Sequence, residues 1–247
     1  MTLASCDSRK TAGENPFFTE WDTPHGVPPF DKILPEHFMP AFERGMSLHE
    51  AEIDAITSNK DEATFENTIL AYDNAGQMLA QTELVFGMLC AAETNDRMQA
   101  LQEQAMPLLA AHRDKIRLDD KLFVRVKEVY DRRAALGLDA EQMRLLQKTY
   151  DSFVRAGALL DAEQKARLKE INGQLSLTAV KFGNNILAEN NNFVLELKSD
   201  ELDGLPAGIR DAAREKAQQM GKGDKWVFTL HKPSLIPLLT YSTRRDL

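Results

Sequence analysis

The sequence predicts a mainly α fold, a bundle of long antiparallel helices with a small two-stranded β ribbon near the C-terminal end. Three observations carry this. After Pro35 the apolar residues recur with a period near 3.6 for about 150 residues, the spacing that lines one face of a helix. The string LDAEQ occurs at 138–142 and again at 160–164, each time setting Asp as an N-cap with Gln three residues later, so that side chains satisfy the free amides of a first turn. Only Phe193–Leu197 and Trp226–Leu230 combine β-branched and aromatic residues in the short runs that strands use.

The elements follow in order. Residues 1–14 are dominated past the first few positions by small, polar and charged side chains and are expected to form a flexible tether outside the fold. From Asn15 to Pro35, five prolines (16, 24, 28, 29 and 35) alternate with Phe17, Phe18, Trp21 and Phe30. Proline fixes φ and drives the preceding residue out of the α region, so an extended, non-helical arm is expected, pinned to a hydrophobic surface by its aromatics. A first helix carries Phe38, Phe42, Gly45 or Met46, His49, Ile53 and Ile56 on one stripe, and a second is expected to run unbroken from 65 to 92. Further helices span roughly 95–117, 120–135, 140–157 and 162–190, with Gly137 placed where a left-handed residue closes a helix. The residues flanking the two LDAEQ strings do not recur, so these are two independent caps rather than a repeat. One more helix, 206–220, lies between the strands with Gly221, Gly223 and Asp224 as the turn, and a ribbon this small must pack on helices to be stable. Past Pro233 and Pro237, Thr243–Leu247 reads as the opening turn of another helix.

Composition narrows the function. The 247 residues hold 30 Lys and Arg against 38 Asp and Glu, a net charge of −8, and 43% are hydrophobic. An acidic surface offers duplex nucleic acid no basic patch to replace its counterions, so nucleic acid is excluded as a partner. The longest apolar run, Leu84–Ala92, is half of what crosses a bilayer, and no transmembrane helix is expected. Cys6 and Cys90 form neither a disulfide framework nor a CxxC motif. Leu3-Ala4-Ser5-Cys6 looks like the end of a bacterial lipoprotein signal, with Cys6 the lipidated residue; no charged and apolar leader precedes it. The expected localisation is therefore bacterial, either an exported lipoprotein whose signal was trimmed to Cys6 or a cytoplasmic protein.

No reaction centre is legible. There is no GxSxG elbow, and Gly45-Met46-Ser47-Leu48-His49 echoes one only on a helix. Gly221-Lys222-Gly223 lacks the spacing of a phosphate loop and precedes a strand. His49-Glu50-Ala51-Glu52-Ile53 begins like the zinc motif HExxH, but Ile53 stands where the second imidazole belongs. The histidines, at 25, 37, 49, 112 and 231, have no partner three or four residues away, and His37 and His49 would lie about 18 Å apart along one helix. Acidic pairs such as Glu50/Asp54 and Asp119/Asp120 read as solvated helix faces, and Met78, Met88, Met98, Met106 and Phe86 as core. No catalytic, cofactor-binding or metal-ligating residue is assigned in this chain.

Several longer stretches, taken together and in order, carry a resemblance. They are Asn15–Phe18 (NPFF), PPFDKILPEHFMPAFERGM at 28–46, TFENTI at 64–69, LFVRVKEVYDRR at 122–133, RLLQKTYDSFVRAGALL at 144–160, ELDGLP at 201–206 and WVFTLHKPSLIPLLTYSTRRDL at 226–247. From Asn15 onward the chain resembles the zinc metallopeptidases of the thimet oligopeptidase family, which includes neurolysin, oligopeptidase A and bacterial peptidyl-dipeptidase (dipeptidyl carboxypeptidase), with the last branch fitting best at PPFDKI, TFENTI and FVRAGA. The resemblance implies that residues 15–247 are the N-terminal helical domain of a larger enzyme, cut before its HExxH motif. It implies a zinc cofactor in the full-length parent and none in this chain, short unfolded peptides as substrates, and the C-terminal catalytic part as partner. In that family the N-terminal helices wall a deep substrate channel. The chain alone is expected to be inactive and, with its other half removed, to expose apolar surface and self-associate. The alternatives are an endo-acting oligopeptidase of the same family and a free-standing helical peptide-binding module.

Overall fold

Asparagine and proline shape the first turn of the described chain, which in this computed structural model comprises residues 14–247. Asn15 Oδ1 accepts from Phe17 N at 3.1 Å and opens a 3-10 turn, Pro16–Phe18, while the Asn15 amide donates to His37 O at 2.8 Å. Two more 3-10 turns, Pro24–Gly26 and Pro35–His37, also start at proline. The arm expected to be wholly non-helical is thus extended between single turns, because the fixed φ that bars proline from a helix interior suits it to the first residue of a turn. Its anchoring is as expected. Phe17 is buried 5.3 Å from Phe38, Trp21 meets Phe17 edge-on, and Trp21 Nε1 donates to Pro16 O at 2.8 Å.

Helix α1 (Phe38–Ser58) buries Phe38, Ala41, Phe42, Gly45, Ile53 and Ile56, the stripe its periodicity predicts. Its first half packs with the arm, with α3 (Gln77–Ala92) and with α4 (Asp96–Arg117) around a phenylalanine cluster in which Phe86 lies 4.9 Å from Phe38 and 5.3 Å from Phe42. Its second half joins a core with α5 (Asp120–Asp131) and α6 (Ala140–Arg155) that includes Ile69, Leu122, Val126, Leu146 and Phe153. Each such side chain contributes roughly 1.5–3 kcal/mol on burial. Asp139 and Asp161 act as N-caps as their LDAEQ strings predict: Asp139 Oδ1 accepts from Gln142 N at 2.9 Å and Asp161 Oδ1 from Gln164 N at 2.8 Å, opening α6 and α7 (Ala162–Asn192). Gly137 is left-handed, φ 64°.

The unbroken helix expected over 65–92 is not observed. Thr64 Oγ1 accepts from Asn67 N at 3.1 Å and starts a π-helical turn, Phe65–Leu70, which continues into the short α2 (Ala71–Asp73) before the chain turns at Gly76. Gly76 has φ 75°, a conformation that ends a right-handed helix and that L side chains rarely adopt. A Cβ there would also meet the His49 ring at 2.9 Å. Glu52 Oε2 accepts from Gly76 N at 2.7 Å and holds the turn against α1.

The described residues form two compact units, one ending at Val180 and the other spanning Lys181–Leu247. In the second, β1 (Leu195–Leu197) and β2 (Trp226–Phe228) pair antiparallel with Leu195 opposite Phe228, each strand shorter than the five residues expected. Leu197 and Phe228 are fully buried against Ala213 of α8 (Ala207–Gln219) and Leu238 of α9 (Lys232–Tyr241). The last segment differs from expectation: α9 holds both Pro233, in its first turn, and Pro237, and ends at Tyr241, and Thr243–Leu247 is not helical. Thr243 is instead clamped to the loop before α8, its N donating to Asp203 O at 3.2 Å and its Oγ1 to Asp203 Oδ2 at 2.5 Å. The mainly α class with one two-stranded antiparallel sheet near the C-terminal end stands.

Candidate functional site

Two polar clusters lie inside the first unit. On α1, His49 projects from the core stripe. On α4, His112 occupies the same face as the buried Ala105, Leu109 and Ile116. The two rings meet with His49 Nδ1 3.0 Å from His112 Nε2, so one imidazole donates to the other. The far nitrogen of His112, buried, lies 3.5 Å from Glu50 Oε1, and Lys115 Nζ is 2.8 Å from Glu50 Oε2. Burial pushes the pKa of both imidazoles below the ordinary value; for His49 the neighbouring His112 adds to this, and for His112 Glu50 opposes it. The hydrogen bond from Lys115 holds the Glu50 carboxyl below its usual range. The pair is thus neutral near pH 7 and joins α1, α4 and the Gly76 turn. Sequence reasoning left these histidines without partners because 63 positions separate them, although the helical spacing of 105, 109, 112 and 116 placed His112 on a buried face.

The second cluster is built by the family-like motifs themselves. Arg125, buried within LFVRVKEVYDRR, donates through Nη1 to Asn59 O (3.0 Å) and Asp61 O (3.2 Å) and through Nη2 to Asn67 Oδ1 (3.1 Å) in TFENTI. Arg132 of the same helix end reaches Ala63 O and Glu62. Asn67 further accepts from Thr64 N at 2.8 Å and donates to Glu62 O at 2.9 Å. These contacts fix the 59–67 loop on α5. A groove of about 440 Å³ opens beside them, lined by Glu52, Asn59, Asn67 and Asn74 among small apolar residues. The arrangement holds shape and offers hydrogen-bonding amides. It contains neither a nucleophile with an adjacent base nor an acid–base pair of the kind that hydrolysis needs.

Zinc, which the resemblance implies for a full-length enzyme, does not fit the residues described. A zinc site needs nitrogen, sulfur or oxygen donors converging at roughly 2.0–2.3 Å. Here the two imidazole nitrogens face each other, and Glu50 lies on the opposite side of His112. Among the described residues no group of three or more His, Cys, Asp and Glu is arranged to hold a metal ion. The Cys90 thiol is half-buried, and burial raises its pKa, away from the reactive thiolate. Cys6 and its surrounding string lie outside the described residues. No helix among the described residues is long and apolar enough to cross a membrane.

Comparison with known proteins settles the kinship. Dipeptidyl carboxypeptidase of Escherichia coli (strain K12) is 37% identical over 238 residues, 94% of this chain and 35% of that protein. Its counterpart in Salmonella typhimurium is 35% identical over the same share. Homology to the thimet oligopeptidase-like peptidases is established. Oligopeptidase A of Escherichia coli belongs to the same set, at 24% identity over 91% of the chain and 33% of that relative. The chain therefore spans about a third of the length of the relatives it matches. No protein-family model matches it.

Proposed function

We propose that this chain is the non-catalytic helical portion of a zinc metallopeptidase that hydrolyses short peptides, releasing dipeptides from their C-termini, and that its helices form one wall of the substrate channel. The observation that carries this is the 37% identity across 94% of the chain to a dipeptidyl carboxypeptidase about three times as long. The internal architecture supports it. The family-like motifs meet in a polar knot around Arg125 and in an aromatic core, where they set shape. In the parent, zinc would polarise the scissile carbonyl from residues outside this chain, while these helices exclude folded proteins from the channel and orient the peptide.

The experiment is product analysis with a blocked-N-terminus peptide and the full-length polypeptide from the same gene. Successive dipeptides from the C-terminus support the proposal; internal cleavage would assign the parent to the endo-acting mode, the reading favoured by the oligopeptidase A matches. Leu3-Ala4-Ser5-Cys6 carries the further proposal of an exported, lipid-anchored form, against a cytoplasmic one. The intact mass of the protein isolated from its source cell separates the two.

A further inference from the structure

Helix α7 is turned the wrong way for a helix that stands alone. It is 31 residues long, yet it buries only Lys165 and Val180. What ties its first half to α4 and α5 is polar: Lys165 Nζ reaches Asp120 and Leu118 O, and Asn172 Nδ2 donates to Asp114 Oδ1 at 2.8 Å. The side flanking those bonds is apolar, with Ile171 43% and Leu175 62% exposed and Leu168 half-buried beside them. These three lie at i, i+3 and i+7, two turns of one helical stripe spanning about 10 Å. An amphipathic helix buries its apolar stripe, so a stripe left outward while polar groups make the inner contacts marks a surface built for something else.

The chemistry of that occupant is written beside the stripe. A groove of about 420 Å³ runs between α4, the end of α6 and α7, and Leu168 and Leu175 form its α7 rim. Arg113, Arg117 and Arg155 also line it, against one carboxylate, Asp114, already engaged by Asn172. Arg113 is paired with Glu83 at 3.0 Å, Arg117 lies near enough to the Tyr72 hydroxyl to favour its ionised form, and Arg155 has no ion-pair partner among the described residues. A cationic groove on a chain of net charge −8 selects an acidic partner, and guanidinium forks match carboxylates in pairs of hydrogen bonds. About two-thirds of the relatives' length lies outside this chain, enough polypeptide to supply it.

We propose that the Leu168–Leu175 face of α7, with Arg117 and Arg155, docks an acid-bearing helix from the part of the family-length polypeptide outside this chain. The proposal rests on the reading of the chain as a portion of a larger peptidase. Leu175→Cys, made with Cys6→Ser and Cys90→Ala, is labelled with a maleimide in the 247-residue chain and in the full-length polypeptide. Labelling is expected to be about tenfold slower in the full-length protein, as for any group covered by a packed interface. Adding Arg117→Glu and Arg155→Glu, both at exposed positions, restores it to the rate seen in the short chain. Leu177→Cys, on another face of α7 and 40% exposed, labels equally in both. Equal rates at Leu175→Cys in the two lengths overturn the proposal. So does protection that grows only with the concentration of the short chain, which assigns the face to a second copy. Dipeptide release is measured in the same preparations. A full-length protein that shields this site but releases no dipeptides sinks the peptidase reading alone, and one that releases them with the site freely labelled sinks the docking alone.

Discussion

Replacing Arg125 with Met tests whether the family-like motifs act by fixing the 59–67 loop. The substitution keeps the buried stem and removes three donated hydrogen bonds, to Asn59 O, Asp61 O and Asn67 Oδ1. Bonds from a charged donor are worth about 1.5–3 kcal/mol each when one partner is lost. Asp61 is exposed, so water replaces its bond at small cost, and two losses remain to be felt. The expected destabilisation is roughly 3 kcal/mol, less than a full sum because neighbouring bonds are not additive. Arg125→Lys, which keeps the charge but cannot bridge the separated acceptors, is expected to lose about half as much. Each unit contains one tryptophan, Trp21 in the first and Trp226 in the second, so urea unfolding followed by fluorescence in a Trp226→Phe background reports the first unit alone. With a slope near 2 kcal/mol/M, the midpoint falls by roughly 1.5 M. A loss below about 1 kcal/mol for Arg125→Met refutes the reasoning.

Three more outcomes follow. Both imidazoles of the His49–His112 pair have lowered pKa values, so unfolded chains bind protons more readily; the pair's contribution is intact above about pH 6.5 and is lost as pH falls below it. Glu50 adds to the loss only lower, through the carboxylate range; the facing carboxylates Glu52 and Glu83 moderate the lowering of the imidazoles, while Lys115 adds to that of His112. The urea midpoint of the first unit should drop between pH 7.5 and 5.5, and His49→Gln with His112→Gln should flatten that slope; an unchanged slope in the double variant contradicts the assignment. Gly204→Ala would put a Cβ 2.2 Å from Tyr241 O at a residue with φ 83°, and about 3 kcal/mol or more of stability should vanish from the transition reported by Trp226, while that reported by Trp21 stays put. In sedimentation, the 247-residue chain should self-associate with increasing concentration through exposed apolar surface, and a sedimentation coefficient independent of concentration contradicts that expectation.

Helix existence was legible because it rests on local signals. The core stripe of α1, the Asp139 and Asp161 caps and the left-handed Gly137 each follow from spacing and side-chain type. The break at Gly76 was not read, although Asn74-Ala75-Gly76 is a turn-forming string, because the apolar period resumes in phase after it and masks one left-handed residue. The arm prolines that open 3-10 turns and Pro233 of α9 misled in a common way, since exclusion from a helix interior was extended to helix starts; Pro237 lies inside α9 and breaks the propensity rule itself. The His49–His112 pair and the Arg125 knot depend on contacts across 63 and 58 positions, which no local spacing encodes. The kinship was legible from motifs, and in this chain two of them, TFENTI and LFVRVKEVYDRR, are bonded to each other through Arg125 and Asn67.

Where hydrolysis and metal reside decides whether this chain is a non-catalytic portion of a longer peptidase. Zinc content and dipeptide release are measured side by side for the 247-residue chain and for the full-length polypeptide from the same gene. One zinc per molecule and C-terminal dipeptides from the full-length protein, with neither from the short chain, is the predicted result; stoichiometric zinc or turnover in the short chain would contradict it.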